Sequence, residues 1–255
     1  MSNENEITLE NILGTRYVRF ITYPSAEAKE TKERIEQLAA LGITRLTFRG
    51  PTLIDGVQIM GKGCVGIVLQ AICEQIPVAV KIRRTDADRT TLLDEARLLR
   101  LANSVNVGPT LIRATRNFLV MQLFDGLPLY MWAQRTRKHS IARRVLRQLL
   151  IECFKLDAIG LDHGELSHAP KNVLVNSRNT ACIVDFESAS SSRRASNVTS
   201  LIQYFLFGKL AREIGTFRLY HNRKSILKAL TTYKQDGSVL NFNNILHALS
   251  LETIE

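Results

Sequence analysis

The chain has 255 residues, 45% apolar and 23% charged, which is enough to bury a sizeable core as one large domain or two small ones. Its net charge of +10 and isoelectric point near 9.7 suit a polyanionic partner such as a nucleotide, a nucleic acid or a ribonucleoprotein. No apolar run approaches the ~18 residues of a membrane span, and no basic segment precedes an apolar stretch as in a secretory signal.

In chain order, residues 25–41 read as an amphipathic helix, with Ser25 as N-cap and Gly42 at its end. A strand, ITRLTF, follows. Residues 1–50 carry seven Lys/Arg and seven Asp/Glu, so the positive excess lies beyond them. They read as an N-terminal extension of unknown role. From 53 the pattern turns to strands: LIDGVQIM (53–60), GIVLQAIC (66–73) and PVAVKI (77–82). Residues 89–102 have helical period, and 110–124 alternate as two strands around Arg116–Asn117. After Gly126 the expectation is helices over 128–138, 140–159, 197–213, 222–233 and 241–250. Two short strands, 173–175 and 182–184, interrupt them. The layout is α+β: a small antiparallel sheet with one helix over 51–124, then a mainly helical region over 125–255.

Four cysteines (Cys64, Cys73, Cys153 and Cys182) stand far apart, with no histidine at zinc-ligand spacing. They read as unpaired thiols, three of them in apolar stretches, which points to a reducing, cytoplasmic setting. The densest basic run is RTRKHSIARRVLR, 135–147. Arg143, Arg144 and Arg147 sit at helical spacing beside Ile141, Val145 and Leu149. A solvated helix face and a surface for RNA or a ribonucleoprotein are both open.

Three stretches carry chemistry. GKGCVGIV supplies Gly61, Gly63, Gly66 and Val68, a G-x-G-x-x-G-x-V pattern. β-Branched residues follow it, so the loop joins two strands rather than opening a helix, and its backbone is free to approach phosphate oxygens. The alternative is a plain hairpin. VAVK ends at Lys81. This is either a surface lysine on an edge strand or a cation held over phosphates, with a carboxylate on the next helix as partner. Glu95 lies nearer the apolar stripe than Asp94 and is the favoured partner. The connector FLVMQLFDGLPL offers backbone groups from Gln122 to Phe124 for an adenine edge, with Met121 lining the pocket and Asp125 within reach of a ribose. The plain alternative is a linker.

The third stretch, HGELSHAPKNVLV followed by CIVDFES, resembles the catalytic and metal-binding loops of the protein-kinase-like superfamily. The closest likeness is the RIO-like branch, in particular archaeal serine/threonine kinases with an H-G-E loop. The resemblance covers about residues 53–205, with all motifs in order. It implies a two-lobed kinase-like fold, ATP as phosphoryl donor and Mg²⁺ as cofactor. It also implies roles: Glu165 as the carboxylate facing the acceptor hydroxyl, Asn172 and Asp185 as metal ligands, Lys81 on the α- and β-phosphates, and His163 packing the loop.

Four departures stand out. Glu165 replaces the usual Asp, and six residues rather than four separate it from Asn172, with Pro170 expected to stiffen the longer loop. The lysine two residues after the acid is absent, leaving Lys171 as substitute or as a plain loop residue. Glu187 replaces the glycine of D-F-G and is itself in reach of a metal. Only about a dozen residues follow before the next helix, so the platform for extended peptides is missing; Ser188 to Ser196 are candidate self-phosphorylation targets. Three functions remain open: a serine/threonine protein kinase, a small-molecule kinase, and a nucleotide-binding pseudokinase or ATPase module docking on RNA or a protein complex.

Overall fold

The β-branched run GIVLQAIC has a natural partner in IPVAVKIR, because Glu74 and Gln75 both take positive φ (49° and 71°). Such a two-residue turn matches the right-handed twist of the strands it joins. In the computed structural model, which describes residues 5–25, 27–168, 171–207 and 222–252, these strands form the centre of an α+β chain. Two units emerge: residues 1–100 with 109–123, and residues 101–108 with 124–255.

In the first unit, β1 (Glu6–Thr8), β2 (Ile43–Thr47), β6 (Gly66–Cys73), β7 (Ile76–Arg83), β9 (Phe118–Gln122) and β8 (Leu111–Ala114) lie side by side in that order. β5 (Gly61–Lys62) also pairs with β6, and every pairing is antiparallel. Both faces of β7 are covered, so Val78 through Ile82 are all buried. Val80 and Ile82 join Leu38, Leu46 and Phe48 in one core. Leu119, paired with Lys81, joins Leu92 and, from α2 (Leu93–Asn103), Ala96 on the other side.

Two expectations change here. LIDGVQIM is not one strand: Asp55 and Gly56 take φ of 46° and 77° and fold it into a hairpin, β3 (Thr52–Ile54) against β4 (Val57–Ile59). The D-G pair is the local signal for that turn. Residues 5–50 are not a separate extension. β1 and β2 are strands of the main sheet, and Leu9, Ile12, Phe20 and Leu38 share its core. α1 (Ala28–Ala40) is tied in by Arg34, whose fully buried guanidinium donates to the carbonyls of Ile21 (3.1 Å) and Arg83 (2.6 Å). α1 starts later than expected, at Glu27 without a side-chain cap, because Ser25 donates its amide to Thr85 and accepts from Thr22 instead. It ends at Gly42, whose φ of 79° suits a helix C-terminus.

In the second unit, β10 (Gly126–Pro128), β11 (Val173–Asn176) and β12 (Ala181–Ile183) form an antiparallel sheet. β10, three residues with Gly and Pro, has no strand signal in the sequence. Around it lie α3 (Leu129–Arg135), α4 (His139–Ala158), α5 (Asn197–Phe207), α6 (Arg223–Gln235) and α7 (Val239–Ala248). The expected continuation of α5 to 213 and the start of α6 at 222 border on residues outside those described. Asn222 and Ser238 cap α6 and α7.

α4 buries Ala142, Val145, Leu146 and Leu149 and turns Arg144 outward. Its last turn holds Asp157, whose carboxylate accepts the amides of Asn197 (2.8 Å) and Val198 (3.2 Å) at the start of α5 and the hydroxyl of Tyr233 (3.0 Å) on α6. All four cysteines are unpaired; Cys73, Cys153 and Cys182 are buried. No helix among the described residues is long and apolar enough to cross a membrane.

Candidate functional site

Strand alternation places Lys81 on the α2 side of the sheet, beside Val68 and Leu119. There its Nζ donates to both oxygens of Glu95, at 2.9 and 2.8 Å. Both residues are only 4% exposed. Asp94, one position round the helix, faces solvent. A pair buried to this degree is a poor source of net stability, since removing two ions from water costs several kcal/mol each.

The glycine loop is a hairpin between β5 and β6, with the Gly63 amide donating to the Gly66 carbonyl at 2.8 Å. Gly66 is sterically required: a Cβ there would lie 2.9 Å from the Ile82 carbonyl oxygen and 3.0 Å from the Lys81 stem. The lysine therefore runs under the loop through space that only glycine leaves open. Gly61 has open space at its Cβ position, so nothing around it demands glycine.

The connector is narrower than the sequence indicates. The Gln122 amide donates to the Thr110 carbonyl at 2.8 Å, and its side chain accepts from Thr110, so this N–H is spent within the sheet. Met121 is half-buried opposite Ala79, and the unit ends at Leu123. Phe124 begins the second unit, where its ring lies against Gly126.

In the second unit, Glu165, Asn172 and Ser188 form a hydrogen-bonded chain. Asn172 is buried and donates its side-chain nitrogen to Glu165 Oε2 at 3.1 Å, and Ser188 Oγ donates to Glu165 Oε1 at 2.5 Å. A carboxylate only accepts, so the Asn172 nitrogen must face it and the amide oxygen is left pointing elsewhere. The Ser188 hydroxyl, ahead of the Asn172 contact, holds the Glu165 carboxyl below its ordinary range and hence ionised near neutral pH.

Asp185 is exposed and takes φ 66°, ψ 76° as β12 breaks into the turn Phe186–Ser188. A left-handed Asp costs of order 1 kcal/mol, a strain often found at functional positions. Glu187, half-buried, lies within that turn. Lys171 is exposed, and the expected bulge at Pro170 falls outside the described residues. The loop before it turns as a 3₁₀ segment, Leu166–His168.

His163 is a packing residue. Its ring is fully buried edge-on to Phe186, and its Nε2 lies 3.1 Å from the Val184 carbonyl. A carbonyl only accepts, so Nε2 carries the proton, and burial lowers the imidazole pKa and keeps the ring neutral. Its backbone amide is held by Asn197 at 2.8 Å.

Three residues that no sequence motif marks complete the arrangement. Asp162 exchanges backbone hydrogen bonds with Ser190 and pairs with Arg193, which in turn donates to the Ser188 carbonyl at 3.0 Å. The segment after Asp185 is thus tied to the HGE loop. The contacts that reach Asp162 and Glu165 span 23 to 34 residues, beyond any local periodicity.

Gly164 sits inside this knot, at φ 86°. A Cβ there would meet Arg193 Nη2 at 2.5 Å and the Ser188 carbonyl oxygen at 2.6 Å. Gly164→Ala is therefore expected to destabilise the protein by about 1–3 kcal/mol through strain and overpacking, read as a lowered urea midpoint. An unchanged midpoint would mean that the segment after Asp185 does not lie on Gly164.

Arg144, Arg147 and Lys155 of α4 line a depression of about 450 Å³ with Asn106, Gln148 and Glu152. The chain matches no known protein-family model, and no curated protein matches its sequence.

Proposed function

We propose that the chain is an ATP- and Mg²⁺-dependent phosphotransferase of the protein-kinase-like class, with two lobes and a serine or threonine hydroxyl as acceptor. The observation that carries this reading is the buried Lys81–Glu95 pair under Gly66. A protein that only needed stability there would gain by replacing both with apolar side chains, so the pair is kept for what the ammonium does. Lys81 is oriented by Glu95 to meet the α- and β-phosphates, with the glycine loop covering them.

In the second unit the donor set suits Mg²⁺, a hard cation that takes oxygen ligands: the Asn172 amide oxygen and the Asp185 carboxylate. Bound there, the ion supplies neutralisation of phosphate charge. Glu165, ionised and fixed by Asn172, accepts the proton of the acceptor hydroxyl. His163, neutral and buried, shapes the loop and takes no part in proton transfer. With the Gln122 amide spent on Thr110, the adenine edge falls to the connector groups of Leu123 and Phe124.

The test is phosphoryl transfer from radiolabelled ATP. Asp185→Ala is expected to lower transfer by about 10²–10³-fold, and Glu165→Gln by at least about 100-fold. A wild-type protein that passes no phosphate to protein, to a small hydroxyl compound or to water would overturn the reading. A polyanionic partner is a second element of the proposal, favoured by the depression lined by Arg144, Arg147 and Lys155. RNA binding there would weaken steeply with salt.

A further inference from the structure

Within the segment 188–196, the five serines that follow Glu187 before Arg193 and just after it are not equivalent. Ser190 and Ser192 hydroxyls lie 3.1 Å from each other, and Ser190 also caps the amides of Ser192 and Arg193. Ser196 bonds to Asp162. Ser191 is exposed. Ser188 alone is aimed at Glu165, with its Oγ 2.5 Å from Oε1.

Ser188 is also held on its other side. It ends the 3₁₀ turn that begins after Asp185, and Arg193, anchored on Asp162, grips its carbonyl. The hydroxyl is therefore presented to the carboxylate by fixed backbone, while the other carboxylate oxygen is fixed by Asn172. A side chain that is merely solvated has no need of both restraints.

We propose that Ser188 is the chain's own phosphorylation site, with its hydroxyl occupying the acceptor position opposite Glu165. The inference rests on the phosphotransferase reading and deepens it. Ser188 Oγ forms a bond to the γ-phosphorus of ATP as the bond from that phosphorus to the β-phosphate oxygen breaks. ADP leaves with the electron pair, and the hydroxyl proton passes to Glu165 and from there to solvent. The product, phosphoserine, carries about −1.5 to −2 charge and the bulk of a phosphoryl group where the hydroxyl met Glu165, so the side chain no longer fits the acceptor position. Self-phosphorylation then frees Glu165 for an external hydroxyl. Because Ser188 and Glu165 belong to one unit of one chain, the reaction is intramolecular, and its rate per molecule does not change on dilution.

The experiment uses the full chain with Mg²⁺ and γ-labelled ATP, mapped by tandem mass spectrometry. The expected result is phosphate on Ser188, none at that position in Ser188→Ala or Asp185→Ala, phosphothreonine in Ser188→Thr, and a wild-type level in Ser191→Ala. A nucleotide-free measurement stands beside it: the Ser188 Cβ resonance is expected to move on Glu165→Gln substitution. Phosphate on other residues or on an added acceptor, with none on Ser188, overturns the inference and leaves the phosphotransferase standing. No transfer to any acceptor overturns both. A Ser188 resonance indifferent to Glu165→Gln also overturns the inference, because the hydroxyl is then not on the carboxylate.

Discussion

Replacing Lys81 by Met is expected to lower stability by about 3–5 kcal/mol and to remove phosphoryl transfer almost entirely. The first effect follows from burial alone. Glu95 is 4% exposed and accepts two short hydrogen bonds from Lys81. Without that ammonium, a desolvated carboxylate is left inside the sheet–helix interface, and breaking one partner of a buried pair costs far more than the pair contributes. The double variant Lys81→Met, Glu95→Leu removes both charges. It is expected to recover to within about 1–2 kcal/mol of wild type, or to exceed it.

The second effect separates the structural role from the functional one. If the ammonium serves phosphate binding, the double variant is stable and inactive, with transfer still down by at least about 100-fold. Urea titration and radiolabelled transfer on the same four proteins (wild type, two singles and the double) give the cycle. A double variant that is both stable and active would remove Lys81 from the site. A single variant as stable as wild type would show that Glu95 reaches water when its partner goes.

The second large effect is a pH dependence centred on Glu152. This residue of α4 lies against β12, where Gln148 donates to its Oε1 at 2.8 Å and also exchanges hydrogen bonds with the backbone of Ala181. Its Oε2 is buried without a hydrogen-bond partner. Burial pushes the carboxyl up from 4.5 to about 7, against smaller opposing contributions from Gln148, Lys155 and the Ile183 backbone. The native state therefore holds a proton that the unfolded chain has already released.

Below about pH 4.5 both states are protonated and Glu152 has no effect on stability. Between there and about pH 7 the unfolded state is favoured increasingly, and above it the penalty is constant at about 3 kcal/mol. Glu152→Gln keeps the shape and the acceptor for Gln148 and removes the charge. It is expected to match wild type at pH 4 and to exceed it by up to about 3 kcal/mol at pH 8, with the difference opening across that window. Urea unfolding at pH 4, 6 and 8 reads this directly. Parallel curves for the two proteins would mean that water reaches the carboxyl. Because β12 leads straight into Asp185, the same titration is expected to loosen the strand that positions the candidate metal loop.

Much of the arrangement could be read from residue order. β6 alternates and is joined to β7 by a two-residue turn, so both strands could be read locally, whereas the inward face of Lys81 could not, because β7 is covered on both faces and shows no period 2. Glu95 rather than Asp94 follows from the helical stripe of Leu92, Ala96 and Leu99. The HGE and DFE loops are visible as polar breaks against short apolar strands. What could not be read was pairing at a distance. The hairpin at Asp55–Gly56 was local and its signal present, yet the apolar run on both sides obscured it. β10 has no signal of its own and exists because β11 offers it a partner.

Residue order alone was enough to assign the α+β class and most of the strands and helices, since each depends on periodicities of a few residues. The fold was needed to bring residues 5–50 into the main sheet, to spend the Gln122 amide on Thr110, and to set the Ser188 hydroxyl on Glu165. Those outcomes depend on which edges and faces meet after collapse, and burial free energy over the whole core selects them.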